Sequence, residues 1–226
     1  MLSATRMRVS ARGTFPALTL DLVLHPGELL LIRSRHKERS SDIADVLLGL
    51  ADAGTGFVRF LDGAWHDLTG REAFELRRGV GRVQDRGNWM EARSMMDNLL
   101  IPARHHTILP EQELRDRACA LAQQFGLPGL PTLLPGDCVP GDLERAACVR
   151  AFLGRPALVI LEHPMAFEDS DLLVPLMNAV QHVRRRGGSV IWFTEHASHA
   201  VEASLSADHH RELVDTHLID RKRSRR

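Results

Sequence analysis

The chain has no tyrosine, only three cysteines and no excess of charge of either sign. The missing tyrosine excludes nothing by itself. The balance of Lys+Arg 29 against Asp+Glu 29 excludes a global field that would draw the chain to nucleic acid. Cys119, Cys138 and Cys148 are odd in number and follow no ligand spacing, so reduced, packing cysteines of a cytoplasmic protein are expected. No run approaches the ~18 apolar residues of a membrane span. The first residues, MLSATRMRVSARG, lack the apolar stretch of a secretory leader, so none is expected. There is no internal repeat, no low-complexity linker and no G-x-S-x-G elbow, which sets a serine hydrolase aside. Twelve histidines are present, but His105-His106 and His209-His210 are adjacent pairs that do not share a face. His196 and His199 are three apart with no third ligand nearby, so no metal centre of histidines is expected.

The most telling absence is local. Gly27–Leu50, GELLLIRSRHKERSSDIADVLLGL, has the layout of a strand, a phosphate loop and a helix, yet no glycine lies between Ser34 and Ser41. A phosphate loop there would read G-x-x-x-x-G-K-[ST]. Its two glycines fall on Ser34 and Arg39, its lysine on Ser40 and its hydroxyl on Ser41. A phosphate cradle needs backbone N–H groups turned inward, a conformation that residues with a Cβ rarely adopt. Arg35, His36, Lys37 and Arg39 keep the segment basic, so it attracts phosphate by charge rather than by a backbone nest.

The 226 residues suffice for one large α/β domain or a domain with a subdomain. Residues 14–24 and 28–33 read as strands around the His25-Pro26-Gly27 turn, and 40–50 as a helix. Residues 56–61 read as a strand, 71–78 as a short helix and 80–84 as a strand. The middle of the chain, roughly 86–150, reads as helical. In 111–125, Leu114, Ala118, Leu121, Ala122 and Phe125 share one face, and 142–153 form a second helix. The apolar runs 157–161 and 189–194 suit buried parallel strands, with a helix over 170–186 between them, closed by Gly187-Gly188. The alternation predicts a parallel-sheet α/β fold with a helical insertion.

The order of these pieces resembles the ATPase subunit of an ATP-binding-cassette (ABC) transporter over nearly the whole chain, closest in look to MCE/Mla-like lipid-transport ATPases. The resemblance implies a single nucleotide-binding unit over 1–226. It would have a P-loop-type parallel core, an antiparallel strand subdomain, a helical subdomain over roughly 86–150 and a basic tail, RKRSRR, at 221–226. Phe15 suits the family's adenine-stacking aromatic, or is a strand Phe of the core. Gln84 falls where the family's glutamine touches Mg²⁺ and the attacking water. NWMEARSMMDNLLIPA is similar to the permease-facing stretch, with Asn88, Trp89, Met90, Met95 and Met96 either docking or packing. The signature L-S-G-G-Q is Cys138-Val139-Pro140-Gly141-Asp142, so its serine is Val139 and only Gly141 survives. Leu161-Glu162-His163-Pro164 replaces the second acidic motif. Glu162 then stands at the Mg²⁺-holding carboxylate and His163 at the water-polarising glutamate. Asp169 matches the end of the dimer loop. The phosphate-sensing histidine falls on Glu195 without a gap and on His196 with a slip of one.

The resemblance implies ATP and Mg²⁺ as ligands, the latter through Ser41, Gln84 and Glu162, with Ser34, Lys37, Arg39, Ser40 and Ser41 along the phosphates. It implies a membrane permease as partner, pairing with itself or with an intact ATPase, and a place on the inner face of the cell membrane. Phosphoryl transfer rests on positioning and charge stabilisation. Loss of the loop glycines and lysine, the signature serine and the catalytic glutamate therefore implies binding that is weak or absent and little or no hydrolysis. Two other readings stay open: a divergent active ATPase using Lys37 or Arg39 with Glu162 and His163, and a regulatory interaction protein without a permease.

Overall fold

The structure is a computed structural model that describes residues 1–106, 109–164, 170–195 and 205–221. Its centre is a six-stranded sheet in the order β10-β9-β3-β8-β7-β6. The strands are β3 (Leu29–Arg33), β6 (Val80–Val83), β7 (Leu158–Glu162), β8 (Ser189–Thr194), β9 (His209–Val214) and β10 (His217–Asp220). All pairings are parallel except the β9–β10 hairpin at one edge. A second, antiparallel sheet runs β2-β1-β4-β5, from β1 (Leu2–Val9), β2 (Leu18–Leu24), β4 (Phe57–Phe60) and β5 (Gly63–Ala64). The helices are α1 (Lys37–Leu47), α2 (Gly70–Arg77), α3 (Met95–His106), α4 (Glu111–Gln124), α5 (Pro140–Phe152) and α6 (Ser170–Arg185).

Side-chain alternation along each central strand splits the core in two. Leu29, Leu31, Val159, Leu161, Val190 and Trp192 join Met95, Leu99, Phe125 and Val149 on the face covered by the helical segments. Leu30, Ile32, Leu158, Ile160, Ile191 and Phe193 join the antiparallel sheet and α1 on the other. Buried on both faces, these strands need the continuous apolar runs the sequence supplies. On α4, Leu114, Ala118 and Ala122 are buried. Gly81 lets β6 approach α5 closely, since a Cβ there would stand 2.1 Å from the Ala151 carbonyl.

Two expectations are corrected. Residues 14–24 are not one strand: Phe15 lies in a tight turn bridging Arg12, and β2 starts at Leu18. The strands on either side of the His25-Pro26-Gly27 turn join different sheets. The region 86–150 is only partly helical, because 88–94 and 126–139 are turns, bends and a short 3₁₀ segment.

Candidate functional site

The parallel strands β3, β6, β7 and β8 all end on one edge, where ligands of open α/β sheets collect. Ser34, Gln84, His163 and Glu195 each follow one of those ends, and α1 starts there.

The phosphate-loop window is not a loop. Only Ser34–His36 precede α1, and none of the three has a positive φ. Without glycine the backbone takes the helical basin instead of a nest. The N–H groups of Arg39 and Ser40 are bonded to the His36 carbonyl, at 3.1 and 3.3 Å, so they do not face outward. The Ser34 hydroxyl donates to the same carbonyl at 3.0 Å.

Of the four basic residues, Arg39 and Lys37 are paired with carboxylates and His36 lies against Phe15, while Arg35 is exposed. Arg39 is 2% exposed. Its guanidinium donates to the Ser10 and Pro16 carbonyls at 3.1 and 2.9 Å, pairs with Asp42 and lies 5.8 Å from the Phe15 ring centre. It therefore points toward the antiparallel sheet. The His36 ring sits 4.8 Å from Phe15 on the same aromatic. The Lys37 ammonium lies 2.8 Å from Asp85.

The residues standing for the catalytic groups gather, but they pair with one another. Ser40, at the lysine position, is fully buried, with its hydroxyl 3.0 Å from His163 Nε2. No substrate carbonyl reaches that hydroxyl, so the Ser–His contact is not a nucleophilic dyad. The Ser41 hydroxyl donates to Glu162 Oε2. Arg82, on β6, donates to Glu162 Oε1 through Nε and to Asp45 at 2.6 Å through Nη1. Both oxygens of Glu162 are thus occupied and its side chain is fully buried. Buried charge persists only when paired and hydrogen-bonded in this way. A Mg²⁺ ion held by Ser41, Gln84 and Glu162 does not fit this donor set. Ser41 and Glu162 are bonded to each other, and a guanidinium already compensates the carboxylate. Among the described residues no group of His, Cys, Asp or Glu has the arrangement of a metal site.

His163 ends β7 with φ +48, donates its N–H to the Phe193 carbonyl at 3.1 Å and is 7% exposed. Burial, and then the Lys37 ammonium, hold its pKa below the ordinary 6.5. The imidazole is therefore neutral at pH 7. The unfolded chain takes up this proton first, so folding stability is full above about pH 6.5 and falls as pH drops through the lowered folded value. Urea melts from about pH 7.5 to 5 should show a steeper acid loss in the native chain than in His163→Gln.

Beside this network lies a cavity of about 450 Å³ between the strand ends and α5, lined by Lys37, Gln84, Asp85, Trp89, Glu144 and His163 among others. Glu38 and Arg86 complete its charged rim. Three carboxylates face two cations, a poor field for a polyphosphate. Glu195, also exposed on this edge, adds a fourth carboxylate; His196, Asp169 and 222–226 lie outside the described residues. On the far wall, the N-terminus of α5 carries Val139 as N-cap, 61% exposed, then Pro140 and Gly141. Val139 supplies no side-chain oxygen, and Pro140 has no N–H.

The segment after Gln84 is held by residues that sequence reasoning passed over. Asn98, 2% exposed, bonds the Met90, Arg93 and Ser94 carbonyls and the Met90 N–H. Arg150 of α5 donates to the Gly87 carbonyl and stacks on Trp89, 4.2 Å from its ring centre; burial pulls its pKa down to about 10. Met95 is fully buried in the core and so forms no exposed docking face, whereas Met96 is half-buried against the Leu100–Ala118 cluster. Asn88 and Met90 are exposed. Arg82 was the most consequential omission. An arginine within a short strand reads as solvent-facing, and its partners Asp45 and Glu162 are remote in sequence.

No family model matches the chain. It is 30% identical over 184 residues to the nickel import ATP-binding protein NikE of Pseudomonas putida, covering 78% of this chain and 66% of that one. It is 29% identical over 155 residues to the intermembrane phospholipid transport system ATP-binding protein MlaF of Haemophilus influenzae, covering 67% and 57%. The chain thus spans between about half and two thirds of the length of these two relatives and of a methionine import ATP-binding protein of Rhizobium etli, the last being covered over 52%. Among solved structures, the dimeric bacterial ABC transporter cassette MJ0796 superposes with a TM-score of 0.82 over 96% of both chains, at 18% identity, a likeness of fold.

Proposed function

The chain is a homologue of the ATP-binding subunits of ABC transporters and has the ABC ATPase cassette fold, and from that premise we propose that it is a degenerate subunit of such a transporter, retained for assembly and coupling rather than for hydrolysis. The observation that carries this reading is the closed network Ser40–His163 and Ser41–Glu162–Arg82–Asp45. It occupies the groups that a nucleotide and its metal would engage. The N–H groups of Arg39 and Ser40, turned into α1, support the same conclusion.

In this reading the chain sits on the inner face of the membrane against a permease, and pairs with a second copy or with an intact ATPase. No helix among the described residues is long and apolar enough to cross a membrane. Lipid is the cargo class supported by the phospholipid-transport relative; the nickel and methionine relatives support others. The docking surface includes Asn88 and Met90. It extends to a cavity of about 320 Å³ where Pro102 and Ala103 of α3 meet Arg78, Arg117 and Arg155, a face suited to an acidic, partly apolar segment of the permease.

The test is complementation of a deletion strain. Ser40→Ala and His163→Ala should leave transport unchanged, whereas Arg78→Glu with Arg155→Glu should release the chain from membranes. A strong transport defect in a stably expressed Ser40→Ala variant would count against the proposal and favour a divergent active ATPase. Unchanged membrane association of the charge-reversed variant would count against this docking face.

A further inference from the structure

We infer that Arg82 is a built-in replacement for the divalent cation: its guanidinium fills the charge-compensating place beside Glu162, so the candidate site is closed to Mg²⁺ as long as that arginine is present. The inference rests on the reading of this edge as a nucleotide site and goes beyond loss of hydrolysis, because it names what has taken the metal's role.

Three observations carry it. First, Glu162 has no free oxygen, since Arg82 takes one and the Ser41 hydroxyl the other. Second, the carboxylate is fully buried and the guanidinium 12% exposed, so the pair is a fixed element of the core edge and not a surface ion pair that opens readily. Third, the arginine is anchored beyond Glu162, at 2.6 Å from Asp45 and 3.4 Å from the Ser41 carbonyl. It thereby ties β6, β7 and α1 together, the three elements whose ends would surround a bound ion. A guanidinium is always charged and presents a rigid fork of donors, so it satisfies a carboxylate pair without a metal. A hard divalent cation would have to displace it from an anion whose charge is already balanced.

The inference predicts a gained property. Arg82→Gln leaves Glu162, Asp45 and the Ser41 hydroxyl around an uncompensated negative charge, and this variant should bind Mn²⁺ at least about tenfold more tightly than the native chain. Mn²⁺ alone, without nucleotide, is titrated at millimolar concentration while the free-ion electron paramagnetic resonance signal is followed. The native chain and Arg82→Lys, which keeps a cation, should leave that signal equal to a protein-free control. Arg82→Gln should deplete it, and Arg82→Gln with Glu162→Gln should not. Folding is checked by circular dichroism. If Arg82→Gln does not fold without metal, recovery of its structure on adding Mn²⁺ is the expected result. Mn²⁺ binding by the native chain that is lost in Glu162→Gln would overturn the inference, as would a folded Arg82→Gln that binds none. Because no nucleotide is present, either failure leaves the proposed lack of ATP hydrolysis to be decided separately.

Discussion

Arg39→Gly is expected to lower the unfolding free energy by about 3–5 kcal/mol, and the melting temperature by about 10 °C, although it restores a glycine to the phosphate-loop pattern. Arg39 donates to two backbone carbonyls, Ser10 and Pro16, and pairs with Asp42 while almost wholly buried. Removing it takes the guanidinium's donors from both carbonyls and its charge from Asp42. It also places glycine inside α1, at a further cost of about 1 kcal/mol. Asp42 keeps Arg12 at 2.8 Å, which limits the loss. The variant should not gain nucleotide affinity, since one glycine does not turn the N–H groups of a helix outward. Circular dichroism melts and ATP titration of the same preparation check both halves.

The second large effect concerns the buried ion pair. Glu162→Leu and Arg82→Leu should each destabilise by about 3–5 kcal/mol, because each strands a charge at the core edge. The double variant should recover most of that loss, since an apolar pair removes both desolvation penalties at once. A double-mutant cycle in urea reads the coupling directly. Additive losses in the double variant would mean that the two side chains act independently, and the closed network would then not be the unit described above. By the same logic, His163→Glu, which restores the family's catalytic residue type, should give no hydrolysis while Arg82 holds Glu162.

The central sheet was legible because β3, β7 and β8 are buried on both faces and so appear as unbroken apolar runs. The helical face of Leu114, Ala118 and Ala122 was legible for the same reason, a periodicity imposed by one dry side. β1 was not. Its buried residues are Leu2 and Ala4, then Met7 and Val9, because a bulge at Arg6, with φ +45, moves the inward set from even to odd positions. That slip removes the alternation by which a strand is recognised. The start of α1 was read too late because the window was aligned to a glycine-containing loop, and a chain without glycine begins its helix at Lys37.

At the candidate site, the sequence carried the positions but not their use. Ser40, Ser41, Glu162 and His163 do converge, as the resemblance to the cassette family implied. That they satisfy one another follows from Arg82, whose side chain meets Glu162 80 positions away and Asp45 37 positions away. Pairings of that range depend on the order of strands β6 and β7 in the sheet, which no local pattern reports. Met95 shows the same limit on a smaller scale: a methionine-rich stretch fits core and surface equally, and only the packing of α3 decides.

The measurement that bears most directly on the account is calorimetric titration of Mg·ATP into the purified full chain at physiological salt. The closed network, the helical phosphate segment and the acidic rim predict no binding heat up to millimolar ATP. Saturable binding in the micromolar range would contradict the account, and Glu162, His163 and Lys37 would then be the residues to substitute in a search for hydrolysis.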